Sequence, residues 1–183
     1  MMDDGLVRSL SAGLSQRGVR DHNERLLLSL IRRHGGLPAS DLARRAGLSP
    51  PTVSTILRRL ETDGLVRRGD PVRGKVGKPS TPMLLDPEGA FAFGLKIGRR
   101  SAELVLIDLV GAVRHEISMT YDAPEPDRIF AFAADGIGTI TDQLTTEQSP
   151  RISGIGVGAA FEIWNWRDTD ATRLSEFDRW RSL

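Results

Sequence analysis

Between residues 37 and 66 the sequence reads LPASDLARRAGLSPPTVSTILRRLETDGLV, and its centre, Gly47-Leu48-Ser49-Pro50, admits few folds. Glycine accepts the left-handed conformation that ends a helix, serine caps the next one, and proline suits a first helical position because its missing N–H costs nothing there. Two helices are therefore predicted a tight turn apart. Pro38 and Ser40 open the shorter one, with Leu42, Ala43 and Ala46 on its buried side, Arg44 and Arg45 on its wet side, and Leu48 plugging the corner. In the longer one Val53, Ile56, Leu57 and Leu60 fall at i, i+3, i+4 and i+7, which defines a single apolar stripe and fixes the helix's orientation.

At about 100° per residue the opposite face carries Pro51, Thr55, Arg58 and Arg59, with Thr52 and Ser54 on its shoulders. Small polar groups allow close approach, and the cations come after them. Helix, glycine turn and serine-capped helix form a helix-turn-helix, whose second helix meets base edges with its N-terminal residues, from Ser49 on, while its flanks meet phosphates. Asp63-Gly64 ends that helix, Leu65 to Arg68 reads as a strand, and Pro82 to Leu85 reads as its return partner. The intervening Gly- and Pro-rich loop, GDPVRGKVGKPST, has the character of a wing. From Gly64 to Pro82 it places Arg67, Arg68, Arg73, Lys75 and Lys78 against the single acid Asp70, suited to lie along a phosphate backbone or enter a minor groove.

Upstream, Asp21 and Glu24 have capping-box spacing, so a helix is expected from Asp21, with Leu27, Leu30 and Ile31 inward and Gly35-Gly36 as its stop. Residues 1 to 20 read as a flexible arm. Charge separates the halves: residues 1 to 90 hold 15 Lys and Arg against 10 Asp and Glu, and residues 91 to 183 hold 10 against 14. A basic half joined to an acidic half suits a polyanion-binding module fused to a separate sensing or catalytic one. There is no cysteine, hence no disulfide or thiolate metal site, and His22, His34 and His115 lack metal-ligand spacing. With no long apolar run and no secretory pattern, a cytoplasmic location and no membrane partner are expected.

After Asp86-Pro87-Glu88-Gly89 the period changes to two. Phe91, Phe93, Leu95 and Ile97 alternate with smaller or polar residues, Glu103 to Leu109 is nearly continuous apolar and reads as buried on both faces, and Val113 to Thr120 alternates again. Short links make these three an antiparallel meander. A helix comes next from Pro124-Glu125-Pro126-Asp127, with Ile129, Phe132, Ala133, Ile137, Ile140 and Leu144 on one face, and then a buried strand from Ile152 to Ala160 parallel to the first. Beyond it lie FEIWNW, where Trp164 and Trp166 are candidates for the mouth of a ligand cleft, and a polar helical tail.

The two halves together resemble the ROK family of bacterial repressors and sugar kinases. The carriers are the helix-turn-helix run, the wing motif GKVGKPSTPMLLDP, the strand pair FGLKIGRRSAELVLIDLVG and the segment GIGVGAAFEIWNW, over roughly residues 21 to 183. The resemblance implies an α+β multidomain chain: a flexible arm over 1–20, a winged helix-turn-helix DNA-binding domain over 21–87, and over 88–183 an incomplete ribonuclease-H-like, actin-like ATPase α/β lobe of order β-β-β-α-β.

It further implies a transcriptional regulator, a repressor of carbohydrate metabolism that binds a double-stranded operator as a homodimer and answers to a sugar effector. An ATP-dependent sugar kinase is the alternative, as is a truncated DNA-binding fragment without ligand response. The family kinases hold ATP phosphates on a turn of the type D-I-G-G-T-K. Here that run is Lys96-Ile97-Gly98-Arg99-Arg100-Ser101, with a cation at the acid position and arginines where small residues are needed. No catalytic residue is therefore assigned, and no cofactor. The family's zinc motif and catalytic region are expected only in sequence beyond Leu183.

Overall fold

The computed structural model describes residues 16–72, 80–159 and 179–182. The chain divides into two compact units, Met1–Leu85 and Asp86–Leu183. The division falls two residues before the predicted one because Asp86 belongs to the second unit: its carboxylate accepts from Glu88 N at 3.0 Å and caps the 3-10 turn Pro87–Gly89. Leu109 N then donates to Pro87 O, at 3.4 Å.

In the first unit three helices, α1 (Gln16–His34), α2 (Ala39–Ala46) and α3 (Pro50–Thr62), pack with a small antiparallel sheet of order β1-β3-β2, built from β1 (Leu37–Pro38), β2 (Val66–Arg68) and β3 (Pro82–Leu85). The core is Leu27, Ile31, Leu42, Val53, Leu57, Leu60, Val66 and Met83. Helix α1 begins at Gln16, which corrects the expected start at Asp21 and turns the last residues of the supposed arm into helix. The capping box does not form: Asp21 and Glu24 lie inside the helix, and Glu24 is engaged by Arg59 instead. Pro38, expected to open α2 with Ser40, is its N-cap and also pairs, together with Leu37, against Pro82 and Met83. Gly36, at φ +120°, allows this turn; a Cβ there would lie 2.3 Å from Leu84 Cδ2.

In the second unit β4 (Phe91–Ile97), β5 (Ser101–Asp108) and β6 (Val113–Thr120) form the predicted meander. After α4 (Pro126–Thr141), β7 (Ile152–Ala159) returns parallel to β4, for a sheet order β6-β5-β4-β7. Helix α4 buries Ile129, Ala133 and Ile140 on one face of the sheet against Phe91, Phe93, Leu104 and Leu106, with Phe132, Ile137 and Leu144 partly buried beside them. Approach is close at Gly136, where a Cβ would lie 2.7 Å from Leu104 Cδ2.

Two burial expectations are corrected. Strand β5 alternates, with Ala102, Leu104, Leu106 and Asp108 buried and Glu103, Val105 and Ile107 only half-buried, because α4 covers a single face. Strand β7 is exposed along nearly its whole length, Val157 to 56%. Its apolar character reads as burial in sequence, but α4 packs mainly over β4, β5 and β6. The FEIWNW segment, with Trp164 and Trp166, lies outside the described residues, as does most of the tail. Its 3-10 turn Arg179–Ser182 places Trp180 against α4, with Nε1 donating to Pro124 O at 2.6 Å.

The tightest polar cluster of this unit closes the β5–β6 hairpin. Asp108, buried at 5% exposure, accepts from Ala112 N at 2.9 Å, Val110 N at 3.1 Å and Arg114 Nε at 2.8 Å. Arg114 also pairs with Glu88, which accepts from Gln148 Nε2 at 2.8 Å. Burial pushes the Asp108 carboxyl up, but the backbone N–H groups and the guanidinium outweigh it, and the group sits below the ordinary aspartate range.

Candidate nucleic-acid interface

Helix α3 is built as its sequence dictates. Gly47, at φ +66°, closes α2 by donating to Ala43 O, and Ser49 takes up the N-cap of α3. The Ser49 hydroxyl lies 3.4 Å from Thr52 N, which donates to it, and 2.8 Å from Thr52 Oγ1. Val53, Ile56, Leu57 and Leu60 are all buried, with Val53 at 0%. Their burial turns Pro51, Thr52, Ser54, Thr55, Arg58 and Arg59 outward, and all six are exposed. The Thr55 hydroxyl donates back to Pro51 O at 3.0 Å, inside the helix.

Two ion pairs hold this helix, one on each flank. On one side Arg59 Nη1 stands 3.2 Å from Glu24 Oε1 of α1, an electrostatic contact rather than a directed hydrogen bond, and Arg59 Nε lies 3.6 Å from Asp63. On the other side Glu61 receives two hydrogen bonds from Arg68 of β2, at 2.9 and 3.2 Å. The Arg68 guanidinium holds the Glu61 carboxyl below the ordinary glutamate range. Sequence reasoning missed both pairs: Glu24 and Arg59 are 35 positions apart in sequence and no spacing rule joins them. Arg59 and Arg68, expected among the cations of the interface, are thus engaged within the protein, whereas Arg58 and Arg67 are exposed and have no ion pair among the described residues.

The wing rises from β2 and β3, with Gly69 N donating to Pro82 O at 2.8 Å and Val72 pairing with Ser80 in both directions. Arg73, Lys75 and Lys78 lie outside the described residues.

The phosphate-type turn of the second unit is filled by its own contacts. Lys96 Nζ lies 3.1 Å from Glu103, Arg100 Nη1 donates to Asp122 O at 2.7 Å, and the Tyr121 hydroxyl donates to Gly98 O at 2.6 Å and Ser101 O at 2.8 Å. Burial pushes the Tyr121 phenol up to about 12, so it remains a donor that ties the turn shut. Among the described residues no helix is long and apolar enough to cross a membrane, and no cluster of three His, Cys, Asp or Glu could hold a metal ion.

Comparison with known proteins agrees with this geometry. Residues 20–67 match the winged helix-turn-helix DNA-binding family. The chain is 27% identical to protein y4fQ of Sinorhizobium fredii over 74% of its own length and 34% of that protein's, and 29% identical to protein YphH of Escherichia coli over 67% and 31%. It is 26% identical to the DNA-binding transcriptional dual regulator NagC of Escherichia coli over 54% of this chain and 24% of NagC. The chain therefore spans about a third or less of the curated relatives it matches. A crystal structure of a ROK family transcriptional regulator, a homologue of the E. coli MLC protein, superimposes with a TM-score of 0.57 at 19% identity, covering 77% of this chain and 36% of that one. The chain thus carries a winged helix-turn-helix over residues 20–67, is similar in sequence to NagC, and has the fold of a ROK family transcriptional regulator.

Proposed function

We propose that this chain is the operator-binding part of a sugar-responsive transcriptional repressor acting on carbohydrate metabolism genes. The observation that carries the reading is α3, whose polar face is turned outward by a fully buried stripe and held on both flanks by ion pairs. A helix so fixed can enter a major groove with Ser49, Pro51, Thr52, Ser54 and Thr55 toward base edges, while Arg58 and the wing cations Arg67, Arg73, Lys75 and Lys78 meet bases and phosphates. Arg59 and Arg68 act first as fasteners of the helix and reach DNA only at its margins.

The reading takes the protein as a cytoplasmic homodimer, since two recognition helices on a partly palindromic site need a two-fold axis. The sugar effector is taken from the similar N-acetylglucosamine repressors and assigned to the regulator of which this chain is part. Phosphoryl transfer is not proposed, because Lys96 and Arg100 are spent on Glu103 and Asp122 where a nucleotide phosphate would need small residues and an acid. Nor is a cofactor, so chelator leaves DNA binding unchanged.

Selection of a duplex from a random-sequence pool, followed by gel-shift titration, tests the proposal. If each protomer neutralises about three to five phosphates, a dimer's affinity falls as roughly the fifth to ninth power of salt concentration. Arg58→Ala weakens the selected duplex by about 1 to 3 kcal/mol and relaxes preference at one position. A flat salt response, or no enrichment of any sequence, refutes the reading.

A further inference from the structure

The DNA-reading face does not end at α3. The outer turns of α1 and the first turns of α3 line one open depression of about 440 Å³, walled by Val19, Arg20, Asn23, Pro51, Thr52 and Thr55, with Ile56 at its floor. Three of these, Pro51, Thr52 and Thr55, belong to the groove-facing surface of the recognition helix. Arg20 is exposed and forms no ion pair or side-chain hydrogen bond among the described residues. One turn further along α1, Glu24 pairs with Arg59, so this end of α1 is fixed beside α3. The surroundings are two-sided in chemistry: Val19, Pro51 and Ile56 offer apolar surface, while Arg20, Asn23 and Thr52 offer a cation, an amide and a hydroxyl.

We propose that this depression seats one sugar-phosphate unit of the operator backbone, at the edge of the groove that α3 enters. The deoxyribose packs on Val19 and Pro51, and the phosphate oxygens are met by the Arg20 guanidinium and the Asn23 amide. Phosphate contacts of this kind fix register and orientation without reading sequence. Helix α1 thus supplies a third anchor beside the recognition helix and the wing. The inference rests on the proposed DNA-binding function.

The test uses the full chain, a duplex selected by the wild type and a random duplex of the same length. For Arg20→Gln, the loss of one phosphate contact per protomer lowers the salt exponent by about 0.9 per protomer, so the affinity gap to wild type widens about eightfold per protomer for each tenfold dilution of salt. The loss is equal on both duplexes. Asn23→Asp, which sets a carboxylate against the phosphate, weakens both further, whereas Arg128→Gln, an equal charge change on exposed α4, leaves the exponent unchanged. Unchanged circular dichroism melting shows that α1 still packs. If wild type binds with a steep salt dependence and Arg58→Ala weakens it, but Arg20→Gln keeps the wild-type exponent, this inference is overturned and the DNA-binding reading stands. Sequence-dependent loss in Arg20→Gln also overturns it, because Arg20 would then be reading bases. If wild type itself binds no duplex, both fall.

Discussion

Ser49 caps α3 and, in the proposed reading, is also the first residue of the groove-facing surface, and substitutions can separate the two roles. Its hydroxyl accepts from Thr52 N at 3.4 Å and is hydrogen-bonded to Thr52 Oγ1 at 2.8 Å. Loss of an N-cap costs about 0.5 to 2 kcal/mol. The long amide contact places Ser49→Ala in the lower half of that range, at about 1 kcal/mol, which in a unit of this size lowers the melting temperature by about 4 to 8 °C. Ser49→Asp restores the cap and complements the helix dipole. It also sets a negative charge into the proposed groove; for a phosphate taken at about 7 Å this opposes binding by about 0.6 to 2.4 kcal/mol between the dielectric of water and that of a protein surface, or about threefold to sixtyfold per protomer. Ser49→Asn keeps the cap with no charge and binds near the wild-type level.

The chain is suited to this measurement because every Phe, Tyr and Trp lies at or beyond Phe91. Tryptophan fluorescence therefore tracks the second unit alone. Among the described residues, helical circular dichroism is weighted to the first, which has helices of 19, 8 and 13 residues against one of 16. The expected pattern is a lower dichroism midpoint for Ser49→Ala with unshifted fluorescence, and wild-type melting with impaired DNA binding for Ser49→Asp. Wild-type DNA affinity in a stably folded Ser49→Asp protein would falsify the entry of the α3 N-terminus into the groove, where a new carboxylate meets the field of the flanking phosphates, and an unshifted midpoint in Ser49→Ala refutes the cap.

The ion pairs lead to two more outcomes. The Asp108 carboxyl is depressed in the folded state, so its stabilisation is complete above its unfolded value of about 3.9 and is lost as pH falls through the lower folded value. Tryptophan-monitored stability of the second unit should hold steady above pH ~5 and decline below pH ~4. Asp108→Asn should lower it by about 1 to 2 kcal/mol at neutral pH and flatten that decline, the figure kept small because Arg114 is a third exposed; a variant with the wild-type acid profile refutes the assignment. Glu61→Gln releases Arg68 from α3, which frees a cation while loosening the base of the wing. Affinity for random duplex should rise severalfold at low salt and preference for the selected duplex should fall, and gel shifts on the two duplexes showing an unchanged ratio reject the fastening role.

Local chemistry and period determined a great deal by themselves. The turn at Gly47, the cap at Ser49 and the stripe from Val53 to Leu60 are interactions within a few residues, so α3, its outward face and its place after α2 were legible. The meander and α4 were legible for the same reason, since alternation and short links leave little choice of pairing, and the parallel return of β7 followed from the helix set between the strands, which a crossover needs. The start of α1 was not, because Asp21 and Glu24 satisfy a capping pattern that competes with a pairing set 35 positions away, where Arg59 claims Glu24. Burial of β5 and β7 was not legible either. An apolar strand has the same sequence whether one, two or no layers cover it, and only the packing of α4 over a single face decides. The same holds for the candidate interface: the sequence names its cations, but the fold decides that Arg59 and Arg68 fasten the helix, that Arg58 is exposed with no ion pair among the described residues, and that Arg20 stands beside Thr52.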